Sequence, residues 1–171
     1  MLEDWQQQFD QLEDARHELI RKVRGLGSNR LKHKPGPGRW SILQDLQHLV
    51  LAERRMRLAF GSVPASEGPK PDRLAMVLDV LDGDVRVDVP DPGMVPDGDT
   101  ALEDVVSEWE RARQRLRRFL ETVGVGDRDT PVSRHPVTGP LSAGECLRLT
   151  AAHFHHHRRR IEAAMDGGAS D

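Results

Sequence analysis

Along four stretches of the chain, apolar residues recur at three- and four-residue steps with polar residues between them, the period of an amphipathic helix. In the first, Leu2, Trp5, Phe9, Leu12, Leu19, Val23 and Leu26 predict a helix over roughly 2–25, stopped by Gly25 and Gly27. KPGPG at 34–38 cannot continue a helix. Ser41 is placed to cap a second helix running to about Phe60, with Ile42, Leu46, Leu49, Val50 and Phe60 as its core arc. Residues 61–99 are richer in Gly, Pro and Asp and read as a long connection with one extra helix over 73–81. Within it Val85, Val87 and Val89 alternate, which suggests an extended crossover because no pairing partner is evident. Thr100 with Glu103 has the capping-box spacing and opens a third helix, carried to about 123 by Leu102, Val105, Trp109, Leu116 and Phe119. Ser142 with Glu145 repeats that spacing at the head of a fourth helix ending near Met165. The expected architecture is all-α: a four-helix bundle with a long connection between its second and third helices. One domain over 1–165, a frayed tail at 166–171 and almost no strand complete that expectation.

Composition narrows the function classes. The 171 residues carry 25 Lys and Arg against 28 Asp and Glu, a formal charge of −3. That balance argues against a dedicated nucleic-acid or membrane-surface binder, which needs an unopposed basic face. No apolar run approaches the roughly 20 residues that span a bilayer. The acidic, amphipathic start MLEDWQQQFDQLED is unlike a secretory signal, so a cytoplasmic location is expected. A single cysteine excludes an intrachain disulfide and a cysteine-based zinc knuckle.

Histidine changes the picture most. The fourth helix reads ECLRLTAAHFHHHRRRIEAAM, and at 100° per residue His153 and His157 fall about 40° apart, one turn along the axis. Cys146, Leu149, Thr150, Ile161 and Ala164 share their arc, so both imidazoles face inward. An i, i+4 histidine pair on a buried helix face can chelate a divalent metal. The commoner meaning of such a pair is two hydrogen-bonded core residues, and spacing alone does not select the metal. His155 points to the opposite, solvated side, and His156 sits on the flank. A third ligand would come from another helix. His48 is the candidate, yet it lies more than about 100° from the centre of its helix's apolar arc, so periodicity does not select it.

Three segments together resemble the DinB-like superfamily of four-helix bundles: WSILQDLQHLVLAE (40–53), VPDPGMVPDG (89–98) and HPVTGPLSAGECLRLTAAHFHHHRRRI (135–161). The likeness covers nearly the whole chain, with Trp40, Ser41 and His48 matching one motif and His153 and His157 another. It implies that His48, His153 and His157 bind one divalent metal, zinc or nickel, in a cleft between helices. It also implies a homodimer acting on a small-molecule substrate. Relatives of this kind include transferases and isomerases that use a low-molecular-weight thiol (bacillithiol, mycothiol or glutathione) and metal-dependent hydrolases. A non-catalytic dimeric stress-response bundle with a structural histidine or metal core is the alternative. Many relatives carry Gln where this chain has Arg160, and a cation there would oppose the metal or hold an anionic thiol or carboxylate beside it.

The remaining polar residues have plainer expectations. Asp45, one turn before His48, and Glu53, five residues after it, are candidate general bases or hydrogen-bond partners of a ligand, but the favoured placements are a solvated face for Asp45, an interhelical contact for Glu53 and packing for Thr150. Cys146 is about 10 Å along the axis from His153 and is read as a small buried apolar residue. The run ERARQRLRRFLE is read as a solvated basic face, and the three tryptophans as core or bundle-end packing. His135, in HPVTGP, is expected to order the entry to the last helix.

Overall fold

A computed structural model describes residues 1–56, 58–64, 67–68, 70–83 and 91–167. Four long helices carry the core: α1 (Glu3–Arg24), α3 (Ile42–Arg55), α5 (Leu102–Thr122) and α6 (Ala143–Gly167), with α2 (Ser28–Lys32) and α4 (Pro71–Asp82) between them. Each long helix contributes its apolar stripe to one cluster: Phe9 and Leu19 of α1, Leu46 and Leu49 of α3, Trp109 and Leu120 of α5, Phe154 and Ile161 of α6. α3 packs on both α5 and α6, α1 closes the other side, and α4 lies on α6. No helix among the described residues is long and apolar enough to cross a membrane.

Helix starts follow local chemistry in two of three expected cases. Ser41 caps α3 in a capping box with Gln44, and Ser142 with Glu145 does the same for α6. The box expected at Thr100 does not form. Ala101 is the N-cap of α5, because Thr100 accepts a hydrogen bond from Gln47 of α3 and Glu103 pairs with Arg24 of α1. Tertiary partners took both side chains.

The second long helix stops at Arg55 rather than near Phe60. Beyond it the backbone turns to run beside a hairpin, Ala59 N–H donating to the Val132 carbonyl. Phe60 is 44% exposed and meets Phe119 at the surface, so it is not part of the core arc. That hairpin corrects the expectation of almost no strand: β1 (Pro131–His135) pairs antiparallel with β2 (Gly139–Ser142) immediately before α6. Its strands are too short for alternation to register. Its turn is held by His135 Nδ1, which accepts the backbone N–H groups of Val137 and Thr138, and by Gly139 at φ +80°. His135 therefore orders the approach to α6 as expected. α2 carries too few residues to show a period, and Leu31 is its only buried side chain. The Val85–Val89 crossover and residues 168–171 of the tail lie outside the described residues, whereas 166 and 167 continue α6.

Candidate metal centre

α3 and α6 run antiparallel in contact, so residues on their facing edges meet in reverse order. His48 of α3 meets His153, the two Nε2 atoms lying 3.2 Å apart, and one turn earlier Asp45 meets His157. The donor atoms of His48, His153 and His157 lie within 4.8 Å of one another. His48 and His157 are buried and His153 is half-buried. The off-arc position of His48 is thereby explained. Its face of α3 is covered by residues 91–100, a segment that apolar periodicity along α3 could not reveal.

That segment is fastened to α3 along its length. Gln44 donates to the Pro96 carbonyl, Gln47 bonds Asp97 and the Gly98 N–H, and Arg55 pairs with Asp91. Gly98 sits at φ +80° with its α-carbon against Gln44, where a Cβ would lie 3.0 Å from Cγ. The result that matters is the Met94 carbonyl, 2.8 Å from His48 Nδ1. A carbonyl only accepts, so Nδ1 carries the proton and Nε2 presents a lone pair.

His157 is locked the same way by a different partner. Its Nδ1 lies 2.7 Å from Asp45 Oδ1, which leaves Nε2 as the unprotonated nitrogen. Asp45 is 4% exposed, so its expected solvated face is corrected: the carboxylate is inside, at the centre of the site. A helical acid in the first turn has an ordinary dipole explanation, which masks this role in sequence. The one available signal was its i, i+3 placement relative to His48.

Electrostatics suit neutral ligands. Burial pushes His153 and His157 well below the usual imidazole range, reinforced by the charges of neighbouring histidines, and lowers His48 as well. Burial lifts Asp45 to about 6, opposed by the Arg160 charge. The donor set fits a divalent ion. Three neutral imidazoles suit a divalent first-row transition metal, and ligand nitrogens on a tetrahedral zinc ion sit about 3.3 Å apart for bonds of ~2.0–2.1 Å. The 3.2 Å between the His48 and His153 nitrogens is close to that spacing.

A second group, Glu13, His17 and Glu110, also gathers three potential donors. Its centre is taken by the Arg16 guanidinium, whose Nη2 lies 2.7 Å from Glu13, 2.6 Å from Glu110 and 3.1 Å from His17. A resident cation makes it an ion-pair cluster, whereas among the described residues no cationic side chain lies between the three inward histidines.

The other candidates divide cleanly. His155 is exposed, as expected, and His156 is buried with Nδ1 bonded to the Leu81 carbonyl, tying α6 to the end of α4. Cys146 is fully buried with its thiol pushed up to about 12, which excludes it as a nucleophile near neutral pH. Thr150 donates to the Cys146 carbonyl within α6. Glu53 makes the expected interhelical contact, accepting from Trp109 Nε1 and from Arg113. Arg113 corrects the solvated reading of the basic run, since it is 1% exposed while Arg111, Arg115, Arg117 and Arg118 remain outside. Trp40 packs against the site rather than a bundle end, its ring 4.8 Å from His48 and nearly parallel to His157. Arg160 stacks over Trp40, with Nε 3.7 Å from Asp45. Its Nη groups form no hydrogen bond among the described residues.

Acid should therefore act on this site late. Because the folded pKa values of the three histidines lie below the ~6.5 of an unfolded chain, their neutral forms persist as pH falls through 6.5. The unfolded chain takes up those protons first, so their stabilising contribution is full above ~6.5 and is lost as pH drops below it. Asp45 has the opposite sign: with its carboxyl raised to about 6, its contribution is full below the ~3.9 of an unfolded chain and is lost as pH rises through about 6. Chelator competition from pH 8 to 5 should show metal affinity nearly level to ~6.5 and falling only below it. A midpoint above 7 would contradict the depressed values.

Comparison with known proteins agrees with this fold. The chain is similar to TT2238, described as a four-helix bundle protein, at 20% identity and TM-score 0.59, covering 93% of this chain and 98% of that one. It is also similar to YfiT from Bacillus subtilis at 15% identity and TM-score 0.66, covering 100% and 91%. YfiT is described as a probable metal-dependent hydrolase with an unusual four-helix bundle topology. No curated protein matches the chain. The sequence pattern of the DinB superfamily, however, matches residues 11–161, from the middle of α1 to Ile161 in the histidine helix, and the chain belongs to that superfamily.

Proposed function

We propose that the protein binds one divalent metal ion through His48, His153 and His157 and uses it to transform a small molecule by hydrolysis or thiol transfer. The observation that carries this reading is the convergence of three imidazoles, two of them locked with Nδ1 protonated and Nε2 turned inward. A bound divalent ion with only three protein ligands would supply Lewis acidity and lower the pKa of a water or thiol reaching it. The chain's own residues do the rest. Met94 and Asp45 orient two of the rings, Trp40 walls the site, and the unpaired edge of Arg160 is placed to receive an anionic group of a substrate or thiol cofactor. Cys146 cannot be the reacting thiol, so any thiol is a separate low-molecular-weight one. Zinc or nickel as the ion, and a homodimer, are the finer parts of the proposal and rest on the family resemblance. The hydrolase description of YfiT supports metal-dependent chemistry without naming a substrate.

The test is elemental analysis of protein made without a His-tag, followed by paired screens of ester and amide hydrolysis and of thiols against electrophiles. About one zinc or nickel per chain, with turnover lost on chelation, is the expected result. Metal far below one per chain after loading and gel filtration would overturn the proposal.

A further inference from the structure

Asp45, His157, Trp40 and Arg160 close a ring of contacts around one ligand. Asp45 Oδ1 lies 2.7 Å from His157 Nδ1 and 3.7 Å from Arg160 Nε. The Arg160 guanidinium carbon sits 5.7 Å over the Trp40 ring, which lies 6.1 Å from His157 at an interplanar angle of 15°. Asp45 belongs to α3, Arg160 and His157 to α6, and Trp40 immediately precedes the Ser41 cap of α3. The carboxylate is thus held from two directions, and the imidazole it holds cannot turn without breaking a buried charge-assisted hydrogen bond.

We infer that Asp45 is the positioning residue for His157 and that Arg160 acts on His157 through Asp45, so that the two charged residues work as one unit. The consequence for metal binding rests on the function proposed above, whereas the positioning itself does not. A carboxylate behind a ligating histidine fixes its tautomer and ring orientation, and losing such a partner typically weakens metal binding by ~10–100-fold. A buried carboxylate in turn needs a countercharge to stay in place, and the Nε edge of Arg160 supplies it. The Nη edge, which forms no hydrogen bond among the described residues, is placed to receive a substrate anion.

This arrangement predicts non-additivity. Asp45→Ala should weaken zinc binding by ~10–100-fold, and Asp45→Asn, which keeps an oxygen acceptor, should recover part of the loss. Arg160→Gln should weaken binding less. In the Asp45→Ala background the same Arg160→Gln change should have an effect of less than about twofold, because residues acting through a shared partner do not add. Zinc affinity would be measured by chelator competition, with circular dichroism melting to confirm that each variant is folded. An independent readout uses metal-free protein: long-range ¹H–¹⁵N correlation should show His157 as the Nδ1–H tautomer in the wild type and as a mixture in Asp45→Ala. A wild-type His157 protonated on Nε2, or an Arg160→Gln effect equal in both backgrounds, would overturn the inference. Should the tautomers appear as stated while the wild type takes up no metal, the positioning stands and the metal reading falls.

Discussion

Single replacement of His48, His153 or His157 by Ala is expected to abolish tight binding of a divalent metal, while His155→Ala leaves it unchanged. The three side chains offer ligand atoms to one point, and His155 is exposed on the far side of α6. Two ligands cannot close a three-nitrogen site, so each loss should exceed the ~10–100-fold that removing an outer partner produces. His156→Ala is the informative control. His156 is buried and sits beside His157, but it spends Nδ1 on the Leu81 carbonyl, so its removal should loosen α4 from α6 and leave metal affinity within a few fold. Chelator competition on the folded variants reads all five proteins. Retention of wild-type affinity after His153→Ala or His157→Ala would remove the ligand assignment.

The largest stability effect should come from a residue away from the histidines. Glu53→Ala is expected to destabilise the fold by about 3–5 kcal/mol, the usual loss when one partner of a buried ion pair is deleted. Glu53 accepts both Arg113 Nε and Nη2, at 2.8 and 2.9 Å, and Trp109 Nε1 at 2.9 Å. Arg113 is 1% exposed, and without Glu53 its remaining acidic neighbour is Glu13, 3.3 Å from Nη1. At ~2–4 °C per kcal/mol for a chain of this size, the melting temperature should fall by roughly 10 °C. Urea denaturation measures the free energy directly. Trp109→Phe removes one hydrogen bond and no charge, and should have a clearly smaller effect. A loss under about 1 kcal/mol in Glu53→Ala would show that Glu13 alone can balance Arg113.

Both predictions concern polar groups inside the bundle, where sequence and structure part company. The apolar stripes of α1, α5 and α6 were legible because burial of hydrocarbon repeats with the helical period and needs no knowledge of the partner. The same period turned His153 and His157 inward, so two members of the candidate site could be read from the fourth helix alone. His48 could not, because the face it occupies is buried by a segment 46 residues away, whose Met94 carbonyl fixes its ring. The family resemblance supplied what the wheel did not.

Asp45, Arg113 and Arg16 show the general reason. A charged residue on a helix reads as solvated unless its counter-charge is known; Asp45 and Arg113 find theirs on other helices, at His157 and Arg160 and at Glu53, and Arg16 adds Glu110 of α5 to its own-helix partner Glu13. Hydrogen-bond and ion-pair satisfaction is a property of three-dimensional neighbours, and it decides whether a polar side chain can leave water at all. The capping residues repeat the lesson on a smaller scale. Ser41 and Ser142 acted locally as their spacing indicated, while Thr100 and Glu103 were drawn to α3 and α1. The sequence by itself determined the four long helices, their core faces and the inward histidine pair, since these depend on local period. The hairpin before α6, the third imidazole, the carboxylate behind His157 and the buried arginines were decided by tertiary structure, since each depends on a partner that only the packed chain brings within reach.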